Sequence, residues 1–265
     1  MKLSIITPSY NQGQFIGKTF SSILQQTCVD ELEYIIVDAV STDETAQVIQ
    51  EYLPKFEQHK ITVKVICESD KGQSDAINKG WNLATGDIIT YLNSDDYYES
   101  NVLQAVLDYF RNHSTTQWAY GGWNLVNRSG KVYTIVKPTN FVRQNLLDYD
   151  NIGQPSCFFR KTLLDQCGRL RQDYHLAMDY DLWLRFLQKY EPAIIPKVIA
   201  NMRYYADAKS AQRTKQQVLE MYHIASHYTK PLSYQRFRQY FFVCTGWLVS
   251  ILHLDISRRI DRMTQ

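Results

Sequence analysis

The fold is decided by the stretch Asp87-Ile88-Ile89-Thr90-Tyr91-Leu92-Asn93-Ser94-Asp95-Asp96. Its apolar first part predicts a buried strand, and its second part leaves that strand with two adjacent carboxylates. Neighbouring carboxylates at a strand end can hold a divalent cation against a diphosphate, because hard cations take oxygen ligands. The simpler alternative is a helix cap, since Asp is a favoured N-cap and Asp96-x-x-Glu99 resembles a capping box.

Three further apolar segments precede this strand and alternate with helical patterns. Strands are predicted at 2–7, 33–38, 62–68 and 87–92. The apolar residues between them recur at helical spacing, and Ser41-x-x-Glu44 predicts a capping box at the start of the second helix. Strands that alternate with helices of this length indicate βαβ units and a parallel sheet.

The ends of these strands carry polar and mostly acidic residues. Ligands bind beyond the carboxyl ends of the strands in parallel sheets, so the polar ends are expected to line one crevice. They are Thr7-Pro8-Ser9-Tyr10, Asp38, Glu68-Ser69-Asp70-Lys71-Gly72 and Asn93-Ser94-Asp95-Asp96. The first strand is not followed by G-x-G-x-x-G, and the chain contains no G-x-x-x-x-G-K-[ST], which disfavours a dinucleotide fold and a P-loop.

From about residue 116 the pattern changes to shorter strands. A hairpin is predicted around Asn127-Arg128-Ser129-Gly130. The other predicted elements are a strand at 157–160, a helix at 161–167, a helix at 179–190, a strand at 193–205 and helices over 208–264. The helix at 179–190 opens with a second acidic cluster, Asp179-Tyr180-Asp181. A carboxylate there can take a proton from an attacking hydroxyl, although Asp at a helix start is also a common cap.

Composition and charge narrow the class of protein. Of 265 residues, 45% are hydrophobic and 21% are charged, which is typical of a globular protein. The formal net charge is only +2 and the longest Lys/Arg run is Arg258-Arg259, so nucleic-acid binding is not expected. Five cysteines without a C-x-x-C, and an N-terminal apolar run too short for a signal peptide, indicate a cytoplasmic protein without disulfides or structural zinc.

Five segments in the same order resemble the family 2 inverting glycosyltransferases of the GT-A fold. They are Thr7 to Gln12, Val37 to Thr45, Asp70 to Gly80, Ala84 to Asp96 and Met178 to Arg185. The likeness is to bacterial enzymes that build O-antigen, capsule or exopolysaccharide repeats. It implies an α/β GT-A domain over 1–205 with a mostly parallel sheet flanked by helices, in which 1–115 is the nucleotide-sugar half and 116–205 the acceptor half. A C-terminal helical extension follows at 206–265.

The resemblance also implies a role for each polar strand end. Asp38 would contact the base or ribose of the donor, with Tyr10 near the base plane and Asp95 on the ribose side. The full set of nucleotide-sugar-binding residues would be Pro8, Tyr10, Asp38, Asp70, Lys71 and Asp95. Asp96 would ligate Mg²⁺ or Mn²⁺ that bridges the diphosphate. Asp179 would be the general base, kept ionised by the helix dipole, and the sugar would be transferred with inversion.

Three positions depart from the usual pattern of the family. Ala39-Val40 follows Asp38 where the family usually has Asp or Gly. Met178 replaces a Glu before the expected base, and Arg203-Tyr204-Tyr205 stands where many members carry Arg-x-His. Lys209 is expected to replace that histidine as a phosphate contact.

The expected partners are a UDP-, dTDP- or GDP-linked sugar donor and a glycan or lipid-linked acceptor. The stretch from Tyr240 to Leu254 is uncharged, but its 15 residues fall short of the ~20 needed to span a bilayer. It is predicted either to pack on the catalytic domain or on a second subunit, as in a homodimer. Alternatively, it lies on the inner face of the plasma membrane, held by the arginines that follow it.

Two other functions remain open from the sequence. One is a catalytically silent nucleotide-sugar-binding or scaffold protein, and the other is a sugar nucleotidyltransferase, although the Gly-rich basic signature of that class is absent after the first strand. His223 and His227 have the i,i+4 spacing of a metal-binding helix face. A third ligand is not evident, so they are interpreted as two surface histidines.

Overall fold

A computed structural model describes residues 1–26, 32–241 and 245 of the chain. The strands of this part of the chain form one sheet in the order β3-β2-β1-β4-β8-β6-β9-β5, with β7 paired to β6. Their bounds are β1 Leu3–Ser9, β2 Leu32–Asp38, β3 Thr62–Cys67, β4 Ile88–Tyr91, β5 Tyr97–Tyr98, β6 Trp118–Val126, β7 Val132–Val136, β8 Cys157–Arg160 and β9 Ala193–Arg203.

Helices cover both faces of this sheet. They are α1 Gly13–Leu24, α2 Thr45–Gln58, α3 Gln73–Leu83, α4 Leu103–Asn112, α5 Arg143–Asp148, α6 Lys161–Cys167, α7 Met178–Leu187, α8 Lys209–Gln212 and α9 Thr214–Ser226, with a 3₁₀ turn at Gln154–Ser156. Successive strand residues enter different cores, because side chains alternate across a sheet. Ile5 belongs to a core with α1, α2 and α4, whereas Ile6 belongs to a core with α3, α6 and α7.

The first half of the sheet is parallel, as the sequence predicts. In β1, β2 and β3 the last residues are in register, since Ser9 pairs with Asp38 and Asp38 pairs with Cys67. Helix α3 lies close against β1, where a methyl group on Gly80 would come within 2.5 Å of the Ile6 side chain. This packing holds the ends of the strands at a common level and forms one edge of the crevice.

The second half of the sheet brings distant residues to the same edge. Strand β8 is antiparallel to both β4 and β6, and β9 runs parallel to β6. The two-residue strand β5 follows Asp95-Asp96 directly and pairs with the end of β9, Tyr97 with Asn201. The end of β9 therefore lies beside the paired carboxylates.

The capping box predicted at the start of α2 is wrong. Helix α2 begins at Thr45 and no cap bond comes from Ser41, whose amide and hydroxyl both donate to Asp38. Asp43 instead accepts hydrogen bonds from the amides of Gly13 and Thr45. The alternative that Asp96 caps a helix also fails, because α4 begins only at Leu103.

The other predicted elements differ from the structure mainly at their ends. Helix α7 ends at Leu187 rather than 190, and β9 ends at Arg203 rather than 205. The helical run expected over 208–264 is interrupted after α8 and again at 227–233, before helical residues 234–241. Residues 242–244 and 246–265 lie outside the described residues, and with them most of the uncharged stretch 240–254. Within the described residues, none of the helices is long and apolar enough to cross a bilayer.

Candidate active site

Asp38 organises the turn at the end of β2. Its carboxylate is 2% exposed and accepts hydrogen bonds from the Ser41 amide at 2.9 Å and the Ser41 hydroxyl at 2.6 Å. The same hydroxyl accepts a bond from the Asn11 amide, which fastens the turn to the loop after β1. The Cys67 thiol also donates to the oxygen that bonds to the Ser41 amide, at 3.9 Å. The other carboxylate oxygen of Asp38, which bonds to the Ser41 hydroxyl, can accept a second hydrogen bond.

Val40 occupies a strained position in this turn. Its φ is 58°, in the left-handed region that β-branched residues rarely adopt. Its side chain is exposed, beside a crevice edge where the related pattern has Asp or Gly. The valine that stands here instead of Asp or Gly therefore costs free energy through its strained backbone conformation. The turn keeps its shape because the Asp38–Ser41 bonds hold it.

The remaining expected donor residues lie at the same edge of the sheet. Pro8 is a buried member of β1, and Tyr10, just after the strand, is 60% exposed. Asp70 accepts a hydrogen bond from the Gly72 amide at 2.8 Å, which closes the turn before α3. Lys71 lines a small polar cleft between the start of α3 and the start of α7.

Asp95 and Asp96 form the second part of the site. Asp96 is 2% exposed, and its carboxylate accepts bonds from the Arg203 amide at 2.8 Å and the Asn93 side chain at 3.1 Å. The Tyr205 hydroxyl donates to the Asp95 carboxylate at 3.4 Å. Burial raises the pKa of both carboxyls, and the neighbouring Asp95 charge raises the pKa of Asp96 further.

These two carboxylates fit a divalent cation. The negative charges of the buried Asp96 and the part-buried Asp95 repel each other, and a cation with a preference for oxygen ligands relieves that repulsion. Among the described residues there is no cluster of three or more His, Cys, Asp or Glu side chains that could hold a metal alone. Mg²⁺ and related ions are commonly bound by one or two carboxylates together with substrate phosphates, so a diphosphate would complete the ligand set here.

A series of hydrogen bonds joins the paired carboxylates to the start of α7. The Asn93 amide that donates to Asp96 has a carbonyl oxygen that accepts from Gln73 at 2.7 Å. The Gln73 carbonyl oxygen lies 3.5 Å from the Lys209 ammonium, which also donates to the His175 carbonyl at 2.6 Å. Asn93 belongs to one of the polar strand ends expected at the crevice, but only the three-dimensional contacts give Asn93 and Gln73 this connecting role.

Asp179 lies in the first turn of α7 and accepts a hydrogen bond from the Tyr180 amide at 2.9 Å. Burial raises the pKa of its carboxyl to about 6, even though that hydrogen bond and the Lys209 charge act in the opposite direction. Burial thus has a larger effect on the pKa of Asp179 than the backbone hydrogen bonds at the helix start, which lower it. A carboxylate with a pKa near 6 is still mostly ionised at neutral pH.

Asp150 is a site residue that the sequence did not reveal. It follows α5 in an irregular loop, where it accepts a bond from the Ile152 amide at 3.2 Å. Burial and the negative charge of Asp179 raise the pKa of Asp150 well above its usual value. The loop has no periodicity, so neither helix nor strand patterns could place this carboxylate beside Asp179.

Asp181 has a structural environment instead. It is 1% exposed and forms ion pairs with Arg185 at 2.9 Å and Arg171 at 3.5 Å. Arg185 also donates to the carbonyl of Gly168 after α6. Asp181 thus joins α7 to the preceding loop and lies on a different side of the helix from Asp179, as expected from their spacing.

His223 and His227 have the environment of surface residues. Both side chains are exposed on α9 and their rings stack edge to face at 4.8 Å.

Comparisons with known proteins give the chain a family. It is 29% identical over 201 residues to a PGL/p-HBAD biosynthesis glycosyltransferase of Mycobacterium bovis, which covers 73% of this chain and 72% of the relative. It is 29% identical over 186 residues to the UDP-Glc:alpha-D-GlcNAc-diphosphoundecaprenol beta-1,3-glucosyltransferase WfgD of Escherichia coli, covering 70% of each chain.

The fold is shared with a mannosyltransferase from Pyrobaculum calidifontis solved with GDP-Man and Mn²⁺. The two superimpose with a TM-score of 0.67 over 100% of this chain and 76% of the other, at 17% identity. At the sequence level, the family description "Glycosyl transferase family 2" matches residues 4–166, which is more than half of the chain. With the crevice and its carboxylates in the positions described above, the protein belongs to glycosyl transferase family 2 and is a glycosyltransferase of the GT-A fold.

Proposed function

We propose that the protein transfers a sugar from a nucleoside-diphosphate donor to a hydroxyl of a glycan or lipid-linked acceptor, with inversion at the anomeric carbon. The observation that carries this proposal is the series of hydrogen bonds from Asp96 through Asn93 and Gln73 to Lys209, which neighbours Asp179. Through these bonds, a site suited to a diphosphate is connected to a carboxylate suited to proton transfer. Family membership favours this function over the sugar nucleotidyltransferase alternative.

The donor would bind across the carboxyl ends of β1 to β4. Pro8, Tyr10 and Asp38 would hold the nucleoside, with Asp95 on the ribose side and Asp70 and Lys71 at the start of α3. Asp96 would ligate Mn²⁺ or Mg²⁺, and such an ion, when bound, would stabilise the charge that develops on the departing diphosphate. Lys209 and Arg203 add positive charge on the same side of the crevice. The donor is a UDP-, dTDP- or GDP-linked sugar. The Escherichia coli relative is named for UDP-Glc, and the fold neighbour was solved with GDP-Man.

Asp179 would accept the proton of the acceptor hydroxyl as that oxygen attacks the anomeric carbon. The oxygen approaches from the face opposite the departing diphosphate, so a covalent sugar–enzyme intermediate is unnecessary and the configuration inverts. Burial supports this role, because a pKa of about 6 makes Asp179 a stronger base than an ordinary aspartate while leaving it ionised at neutral pH.

The acceptor and the location are further parts of the proposal. The name of the Escherichia coli relative includes a diphosphoundecaprenol acceptor, which supports a lipid-linked glycan and a role in bacterial surface polysaccharide synthesis. The helical residues 234–241 attach to the protein through polar side chains, with Gln239 donating to the Leu147 carbonyl, while Tyr234 and Phe237 are exposed. Such an outward aromatic face would suit the cytoplasmic surface of the inner membrane.

The test measures two quantities on matched variants with a panel of nucleotide sugars: the rate of transfer to an acceptor and the affinity for the donor. Asp179→Asn keeps the shape of the side chain but removes the proton acceptor, so transfer should fall by roughly 10²–10⁴-fold while donor affinity stays near wild type. Asp173→Asn is the matched control, because Asp173 is exposed and precedes the same helix. Asp181→Asn should affect stability more than transfer, since it breaks the buried pair with Arg185. Full transfer by Asp179→Asn would refute the assignment of the base.

A further inference from the structure

The segment just before Asp179 is held by a single carboxylate from the C-terminal extension. Glu220, on α9, accepts hydrogen bonds on one oxygen from the amides of His175 at 3.1 Å, Leu176 at 2.8 Å and Ala177 at 3.2 Å. Hydrogen bonds to an ionised acceptor are roughly twice as strong as neutral ones. Three consecutive amides directed at one charged oxygen therefore fix the path of the backbone through this segment.

The same segment lacks the usual means of starting a helix. Ala177 is the residue before the first turn of α7 and makes no side-chain cap bond, because alanine has no acceptor. The carboxylate of Glu220 comes from a different helix, 43 residues later in the chain, and satisfies the amide of Ala177 instead. Asp179 follows two residues later, so the position of its carboxylate depends on where this segment lies.

Other contacts from the extension hold the carbonyl side of the segment. Lys209, on α8, donates to the His175 carbonyl at 2.6 Å, and Gln217, on α9, donates to the Leu176 carbonyl at 3.2 Å. Behind the segment, Ile224 and Ala225 of α9 are each 1% exposed and share a core with Tyr180 and Leu182 of α7. The extension thus contacts the segment through a cation, an anion and an apolar surface.

We propose that Glu220 is a positioning residue for catalysis, which holds the His175–Ala177 segment so that Asp179 is placed to take the proton from the acceptor. This inference rests on the proposed function of Asp179. Transfer requires the base within about an ångström of its working position, and a misplacement of that size can cost roughly 10²-fold in rate. Four of the proposed donor residues, Pro8, Tyr10, Asp38 and Asp95, lie at or just after the ends of β1, β2 and β4 rather than in this segment, so donor affinity should change less than the rate of transfer.

The experiment measures kcat for transfer and the donor Kd by calorimetry, with kcat expressed per donor-binding site so that misfolded protein does not count. Glu220→Ala should lower kcat by roughly 10- to 100-fold with a donor Kd within about twofold of wild type. Glu220→Gln should have a kcat between those of the wild type and Glu220→Ala, because its amide oxygen still accepts hydrogen bonds but carries no charge. Gln216→Ala is the matched control, since Gln216 donates to the Glu220 oxygen that does not bond to the segment, at 3.2 Å, and should leave kcat near wild type.

A double variant separates this inference from the proposed function. If Glu220 acts through Asp179, adding Glu220→Ala to Asp179→Asn should cause little further loss, because residues that act as a unit are not additive. An unchanged kcat per binding site in Glu220→Ala, an equal loss in Gln216→Ala, or a fully additive double variant would each overturn the positioning role. Full transfer by Asp179→Asn alone would instead refute the proposed base, whatever Glu220 does.

Discussion

Transfer should fall on the acid side of neutrality, because protonation of Asp179 removes the proposed base. Burial raises the pKa of Asp179 from 3.8 to about 6. The active form of Asp179 is the carboxylate, so activity is present above pH 6 and is lost as the pH falls through that value. At pH 7 about nine-tenths of the groups are ionised, and at pH 5 only about one-tenth, since each pH unit changes the ratio tenfold. An ordinary aspartate would keep full activity down to about pH 5.

The assay is kcat/KM for transfer between pH 4.5 and 8.5, because this ratio reports the ionisation of groups in the free enzyme. Stability should be followed over the same range by thermal denaturation, so that unfolding is not mistaken for titration. Lys209→Met gives an independent check. The Lys209 ammonium lowers the pKa of Asp179. Its removal should therefore move the acid limb of the profile, the range in which activity falls with falling pH, to higher pH.

Asp150→Asn tests which carboxyl of the pair titrates in this limb. Burial and the Asp179 charge raise the pKa of Asp150, and Asp150→Asn removes this second titrating group. The variant should therefore keep the loss of activity at acid pH if Asp179 is the base. A limb close to pH 4 in the wild type, or one that disappears in Asp150→Asn, would refute the reasoning. The first result would mean that the base is not a buried carboxyl, and the second that the base is Asp150.

Three other predictions follow from the geometry. Asp96→Ala should lose most transfer activity and the metal-dependent part of donor binding in calorimetry with and without Mn²⁺; turnover that survives EDTA unchanged would contradict the metal role. Val40→Gly should raise the melting temperature by about 2–4 °C. The relief of roughly 1–3 kcal/mol of backbone strain at φ 58° exceeds the entropy cost of introducing glycine. A lower melting temperature would show that the turn is unstrained. Gly80→Ala should destabilise the protein by roughly 1–3 kcal/mol in urea denaturation, since the added methyl would lie 2.5 Å from the Ile6 side chain; an unchanged midpoint would show that α3 and β1 can move apart.

The parallel half of the fold and its acidic edge could be predicted from the sequence. Strands β1 to β4 are apolar segments separated by helical patterns, and both signals depend only on residues close together in the chain. The prediction that Asp38 and Asp96 line one crevice needed one further rule, that the carboxyl ends of parallel strands share an edge. The capping box predicted at Ser41 also depended only on residues close together in the chain, but it is wrong. The Ser41 hydroxyl bonds to Asp38 rather than to the start of α2.

What the sequence by itself determined, then, is which carboxylates are candidates for the site: Asp95, Asp96 and Asp179, each at the end or the start of an element that its neighbours in the chain define. Only the tertiary structure decided how these groups behave. The pKa of Asp179 is set by burial against residues far away in sequence, and the amide that holds Asp96 comes from Arg203, 107 residues later. Asp150 lies in an irregular loop, and Glu220 lies on a helix 44 residues beyond Leu176. Desolvation and hydrogen bonding depend on which surfaces meet, and no pattern within a single element carries that information.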